Sequence, residues 1–292
     1  MKPRLLLTGA SGFLGHHLIK AAQRYEVLKL YHHHLPENDS GNWYACNLTN
    51  LTQTGDLIED LAPDAIIHLA AAADAGFCER EPQLSGEINV EATANLAGIA
   101  SDFQIPLVFT STDLVFDGHQ GNYVETDVPA PLMEYGRQKL RAENEVLQIY
   151  PNALVARIPL LFGEINASPR SPFSTMINDL KQGKNVTLFY DEYRSMCSAA
   201  TVARALLDLM GEANGLLHIC AAEKMSRYDF GMLTAQLFGL STENIIKASQ
   251  RDFTFSAPRP KDVSMNCNRA LQLGAQIPSI ANQLLQLAAR QE

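Results

Sequence analysis

The N-terminal segment RLLLTGASGFLGHHLIKAA constrains the fold more than any other part of the chain. Arg4 to Thr8 is an apolar run with the length of a buried strand. Gly9, Gly12 and Gly15 follow, and Phe13, Leu14, Leu18, Ile19 and Ala22 then recur at helical spacing. Strand, glycine turn and helix in this order make a dinucleotide-binding unit. Gly9 permits the turn, Gly12 lets backbone approach a pyrophosphate, and Gly15 lets the helix pack closely on the strand. The helix N-terminus presents unpaired N–H groups and the positive end of its dipole to the phosphates. The spacing is G-x-x-G-x-x-G, one residue longer than the common G-x-G-x-x-G.

Beyond this unit, strand-like and helix-like segments alternate to about residue 160. The strands are EVLKLY (26–31), DAIIHLAAA (64–72), IPLVFTST (105–112) and NALVARIPLLFG (152–163). The intervening helices include DLIEDLAP and GEINVEATANLAGIASDF. Such alternation predicts an α/β fold, a doubly wound parallel sheet of Rossmann type. After a Pro/Ser-rich stretch, INASPRSPFS, the alternation stops, and short strands (NVTLF, GLLHIC) and helices (ATVARALLDLM, RYDFGMLTAQLFG) follow. This reads as a smaller mixed C-terminal lobe that shapes a substrate pocket. The expected division is 1–164 for the dinucleotide-binding domain and 165–292 for the substrate lobe, with an approximate boundary and interleaved lobes.

The bulk numbers narrow the function class. At 292 residues, length suggests about two domains, and 46% hydrophobic with 19% charged residues describes an ordinary globular chain. No apolar run approaches the ~20 residues of a membrane span, and LLL is too short for a signal peptide. Five scattered cysteines without C-x-x-C spacing read as reduced thiols in a cytoplasmic protein. A net charge of −9 argues against nucleic acid and anionic membranes as partners. Any anionic substrate must then be met by a local cluster of Arg or Lys.

Tyr135 and Lys139, in EYGRQKL, lie four apart in a helical segment and share one face. A phenol beside an ammonium is an acid/base device, and the positive charge is expected to lower the Tyr pKa. Ser111, Thr112 and Asp113 end the strand IPLVFTST, where open α/β sheets bind ligands. A hydroxyl there can hold a substrate carbonyl, although Ser and Thr also simply end strands.

On TGASGFLG, HLAA (68–71), STDLVFDG (111–118) and YGRQK (135–139) the chain resembles the extended short-chain dehydrogenases/reductases. Glu125, Asp127, Pro129 and Pro131 before the Tyr, with the late SRY and RPKDVSMNC segments, are similar to the sugar-nucleotide reductase branch of dTDP-4-dehydrorhamnose reductase. The resemblance implies reduction of a nucleotide-linked 4-keto-6-deoxysugar. Thr112 would orient the keto oxygen, Tyr135 would donate the proton, and Lys139 would bind the nicotinamide ribose. Asn89 matches a supporting helix Asn. The dinucleotide would lie along Gly9, Ser11, Gly12, Phe13, Leu14, Gly15, Tyr31, His32, Asn47, Leu48, Leu69, Ala70 and Ala71, as well as Tyr135 and Lys139. Thr112, Asp113, Arg194, Arg227 and Arg259 would meet the substrate; Arg suits a pyrophosphate through its planar fork. Lys261 is a further candidate, and Arg157, within a strand, is expected to anchor structure.

Three positions depart from the family pattern. The second strand ends in Tyr31-His32-His33-His34 where NAD-preferring members carry an acid, so NADPH is the expected cofactor, with NADH possible. The three histidines are expected to be solvated loop; no metal site is expected. Asn47 replaces the family's adenine-contacting Asp, and Ala72, Ala73 and Asp74 occupy a variable substrate-facing loop. A homodimer is possible. Two other readings remain: a sugar-nucleotide epimerase or dehydratase, for which the paired Asp-Glu after Thr112 is missing, and a non-catalytic nucleotide-binding subunit resembling the regulatory subunit of methionine adenosyltransferase.

Overall fold

The computed structural model describes residues 1–33, 35, 41–164, 171–255 and 257–290. His34 and residues 165–170 of the Pro/Ser-rich stretch lie outside the described residues. The chain opens with β1 (Arg4–Thr8), α1 (Phe13–Ala21), β2 (Glu26–Tyr31), β3 (Trp43–Ala45), α2 (Leu51–Leu61) and β4 (Ala65–His68). Next come α3 (Ala75–Arg80), α4 (Pro82–Gly86), a π turn (Glu87–Glu91) and α5 (Ala92–Asp102), then β5 (Leu107–Thr112), α6 (Glu134–Ile149) and β6 (Leu154–Ile158). The second half holds β7 (Leu161–Phe162), α7 (Pro172–Lys181), β8 (Val186–Phe189), β9 (Tyr193–Arg194), β10 (Cys197–Ser198), α8 (Ala199–Leu209) and β11 (Gly215–His218). It closes with β12 (Met225–Ser226), α9 (Arg227–Leu237), β13 (Ile245–Ala248), α10 (Asn268–Gln272) and α11 (Ile280–Ala288).

Seven strands form one parallel sheet in the order β11-β6-β5-β4-β1-β2-β3. Side chains alternate between its faces, and both faces are covered. Leu5 and Leu7 of β1 pack into one core with Leu14 and Leu18 of α1 and Val202 and Leu206 of α8. Leu6 joins the opposite core with Ile58 of α2, Leu96 of α5 and Val146 of α6. Burying such a Leu side chain contributes roughly 1.5–3 kcal/mol, which is why these near-continuous apolar runs form central strands.

A third core, built on Phe162, Phe173, Phe230, Ile280 and Leu284, organises the smaller lobe. There β8 pairs with β13 and β9 with β12. GLLHIC, read from sequence among the elements of the mixed lobe, contributes β11 to the large sheet, where Gly215–His218 runs parallel to Leu154–Arg157. The chain thus leaves the sheet after β6, builds part of the small lobe, and returns through α8 and β11. β3, only three residues long, extends the far edge and had no counterpart in the sequence pattern.

Candidate active site

The carboxyl ends of β1, β4 and β5 open into a cleft of about 760 Å³ that the smaller lobe covers. Gly12, Phe13, Leu14 and Gly15 line it, and no side chain caps the N-terminus of α1. By contrast α2, α7, α8, α9 and α11 each carry an Asn or Ser cap. Gly9 has φ +65°, and a Cβ there would stand 2.7 Å from the Ala70 nitrogen. A Cβ on Gly15 would stand 2.4 Å from the Gly9 carbonyl oxygen. The turn therefore packs backbone on backbone and leaves the first-turn amides of α1 open to the cleft, a fit for a dinucleotide pyrophosphate.

Thr112, Tyr135 and Lys139 share the next stretch of wall. Thr112 Oγ1 donates to Asp113 Oδ1 at 3.3 Å and accepts from the Leu114 N–H at 3.2 Å. Lys139 is 2% exposed, and its Nζ stands 4.1 Å from the centre of the Phe109 ring. Burial pushes its pKa down to about 7, with Glu143 opposing. Tyr135 differs from the sequence expectation. Its pKa is raised, first by burial and then by the charges of Asp113 and Cys78. Desolvation of the phenolate outweighs any help from an ammonium that is itself losing its proton. A raised pKa keeps the phenol protonated, as a proton donor requires.

Arg194, Arg227 and Arg259 come together on the far wall, around Glu192. Arg194 donates to Asp113 Oδ2 at 2.9 Å and to Glu192 Oε1 at 3.3 Å, and its buried Nε has no hydrogen-bond partner among the described residues. Burial works against its charge, but the two carboxylates hold its pKa above the ordinary value. Arg259 stands 3.9 Å from Glu192 and stacks on Phe255 at 4.3 Å. Arg227 begins α9 behind the Ser226 cap; its N–H donates to the Glu192 carbonyl, and no hydrogen bond or ion pair engages its guanidinium among the described residues. Three guanidiniums face two carboxylates here, so the wall keeps a positive surplus. Glu192, which sequence reading passed over, organises it. Its place two residues before Arg194 in a short extended segment was the available clue.

Asn89 is fully buried in the π turn. Its Oδ1 accepts from the Ala72 N–H at 2.8 Å, and its Nδ2 donates to the Ala72 carbonyl at 3.1 Å and to Gln138 Oε1 at 2.8 Å. It thus ties the loop after β4 to α6. Gln138, between Tyr135 and Lys139, was not singled out by sequence. Leu69 and Ala71 line the cleft, and the Ala70 N–H donates to Thr8 Oγ1. Ala73 lines the cleft, whereas Asp74 caps α3.

Other residues lie outside the cleft lining. Ser11 is exposed, Tyr31 ends β2 edge-on to Trp43, and His32 and His33 are exposed with rings 3.6 Å apart. Asn47 Oδ1, offered by sequence to adenine, accepts both the Thr49 N–H and its hydroxyl, and Leu48 packs on the second core. Lys261 borders a neighbouring pocket with Asp117, Asp191 and Asp262. Arg157 is buried and pairs with Glu143 through two bonds of 2.9 and 2.6 Å. Among the described residues no group of three or more His, Cys, Asp or Glu is placed to hold a metal ion, and no helix is long and apolar enough to cross a membrane.

A family model described as RmlD substrate binding domain matches residues 2–291. The chain is 30% identical to a probable low-salt glycan biosynthesis reductase, Agl14, of Haloferax volcanii, covering 97% of this chain and 96% of that protein. It is equally 30% identical to the methionine adenosyltransferase 2 subunit beta of Danio rerio, covering 94% of this chain and 86% of that protein. Among solved structures, a hypothetical dTDP-4-dehydrorhamnose reductase from Sulfolobus tokodaii superposes with a TM-score of 0.81 at 33% identity, over 92% of this chain and 94% of that one. The dTDP-4-dehydrorhamnose reductase of Bacillus anthracis, solved in complex with NADP, gives 0.88 at 25% identity, over 99% and 100%.

Proposed function

The chain belongs to the RmlD substrate-binding domain family, and from that membership we propose that it is a cytoplasmic, dTDP-4-dehydrorhamnose reductase-like oxidoreductase. Its reaction is reduction of the 4-keto group of a nucleotide-linked 6-deoxysugar with NADPH, at least as well as with NADH. The observation that carries this reading is that one cleft is lined by the glycine turn, by Thr112, Tyr135 and Lys139, and by the arginine wall. The dinucleotide is assigned to the 1–164 portion and the substrate diphosphate to arginines of the 165–292 portion.

A nicotinamide dinucleotide bound along the glycine turn would supply the hydride, and the remaining work falls to the chain. The open amides of α1 hold the pyrophosphate. The end of β2 carries Tyr31 and His32 and no carboxylate to repel a 2′-phosphate. Thr112 Oγ1 turns from Asp113 to donate to the keto oxygen, and Arg194 keeps Asp113 in place when that bond is released. Tyr135, protonated, gives its proton to the same oxygen as negative charge develops on it. Lys139 binds the ribose, and its ammonium, once a carbonyl oxygen and a phenol approach it, favours transfer from Tyr135.

The test is NADPH and NADH oxidation with dTDP-4-dehydro-6-deoxysugars. Turnover with NADPH at least as efficient as with NADH is expected. Strong NAD preference would remove the cofactor assignment. The kinship with methionine adenosyltransferase beta subunits supports a second reading, a regulatory subunit. Tight NADPH binding without turnover of any sugar nucleotide, together with copurification of a synthetase, would put that reading first.

A further inference from the structure

His68, at the end of β4, is buried and touches neither the cleft nor solvent. Its Nδ1 lies 2.6 Å from Thr8 Oγ1, and its Nε2 lies 2.9 Å from Thr93 Oγ1. The Thr93 end sets the direction of these bonds. The Ala70 N–H can only donate, and it donates to Thr8 Oγ1 at 3.1 Å. The Asn89 carbonyl can only accept, and it accepts from Thr93 Oγ1 at 2.9 Å. With its hydrogen spent on Asn89, Thr93 must accept from Nε2–H. With the proton of the neutral ring on Nε2, Nδ1 is an acceptor, and Thr8, which accepts from Ala70, donates its own hydrogen to it. The chain therefore runs one way, from Ala70 through Thr8, His68 and Thr93 to Asn89, and every hydrogen is used once.

Both ends of this chain adjoin residues that line the cleft. Thr8 immediately precedes Gly9, whose Cα rests against the Leu69–Ala70 peptide. Asn89 grips Ala72 through both backbone groups and reaches Gln138, between Tyr135 and Lys139 on α6. His68 also stacks on Phe109, the ring that faces Lys139 Nζ. Asn89 sits in a π turn, a distortion that often marks functional segments.

We infer that His68, locked as the neutral Nε2–H tautomer, is a positioning residue that sets the glycine turn against the helix of Tyr135 and Lys139. Only a side chain that accepts at one atom and donates from another can complete the relay. A cationic ring would leave the Thr8 hydrogen without its acceptor and put a second charge beside Lys139. Burial, reinforced by Lys139, lowers the ring's pKa to about 3, in keeping with this.

Spectroscopy and ligand binding test this role separately; the binding test rests on the dinucleotide reading above, and the spectroscopic one does not. In the unliganded protein with 15N-labelled imidazoles, His68 should show a bare Nδ1 and a protonated Nε2 from about pH 5 to about pH 9. A protonated Nδ1, or titration within that range, would overturn the tautomer and the inference. His68→Phe should weaken NADPH binding about tenfold, the scale of one buried hydrogen bond lost from the bound state. His68→Gln, which can still accept and donate, should recover most of that affinity. Undiminished NADPH affinity in folded His68→Phe protein would reduce His68 to packing. Failure of the unmodified protein to bind NADPH would end the dinucleotide role and the functional reading, while the tautomer stood or fell on the spectra.

Discussion

Arg194 and Arg227 are neighbours on one wall, yet replacing each by alanine should produce opposite failures. The Arg227 guanidinium has no ion pair or hydrogen bond to lose among the described residues, and burial, with Arg194 and Arg259, lowers its pKa against the opposing charge of Glu192. Its removal should leave stability almost unchanged. If it holds a substrate phosphate, the lost charge-assisted hydrogen bonds amount to about 1.5–3 kcal/mol. At about 1.4 kcal/mol per tenfold, the Michaelis constant for the sugar nucleotide should rise roughly tenfold to a hundredfold, with NADPH affinity spared. Arg194, in contrast, pairs with Asp113 and Glu192 at 10% side-chain exposure or less throughout. Removing one partner of a buried pair costs about 3–5 kcal/mol, because the other charge stays behind unpaired. For a chain of this size that is a fall of roughly 5–15 °C in melting temperature. The assay is saturation kinetics in the sugar nucleotide beside a melting curve for each variant. An Arg227→Ala variant with an unchanged Michaelis constant, or an Arg194→Ala variant of full stability, would refute the division of labour.

Tyr135→Phe should leave NADPH binding near wild type and cut turnover by about 10²–10⁴-fold, measured by single-turnover reduction; full activity would remove the proton-donor role. Burial lowers the Lys139 pKa in the fold to about 7 from the ordinary 10.5, so the unfolded chain binds the extra proton between those values. Its penalty on folding is therefore full below about pH 7 and is relieved as pH rises, and urea titrations should show wild type gaining on Lys139→Met between pH 7 and 9. Parallel pH profiles would contradict the buried ammonium. Gly9→Ala should abolish dinucleotide binding and destabilise the fold by more than about 1 kcal/mol, since its φ is +65° and its Cβ would strike the Ala70 peptide. Calorimetric titration with NADPH decides it.

What sequence made legible was what local chemistry determines. Gly9 and Gly15 announced a turn in which a side chain would strike backbone, and Tyr135 and Lys139 announced a shared face because helices repeat every 3.6 residues. The three arginines were found by asking where an acidic chain could hold a diphosphate. The rest was decided by partners far along the chain. The directed bonds of His68 depend on Thr8 and Thr93, and nothing within HLAA identifies either. The rise in the Tyr135 pKa comes from burial and Asp113, which spacing alone does not report. GLLHIC read correctly as a strand, but its sheet was chosen by its pairing with β6.

The placement of β11 bears on how the molecule can be made and cut. A fragment ending near residue 164 would keep the glycine turn, Thr112, Tyr135 and Lys139, yet it would lack both β11 and α8. The outer edge of β6 would then show unpaired backbone, and Leu14 and Leu18 would lose the apolar cover of Val202 and Leu206. Such an edge invites other chains to pair with it. The ribosome exposes the same edge during synthesis, until the residues of β11 emerge. An expression vector for the half that carries the glycine turn should therefore run past His218, and refolding should be limited by the late pairing of the seventh strand.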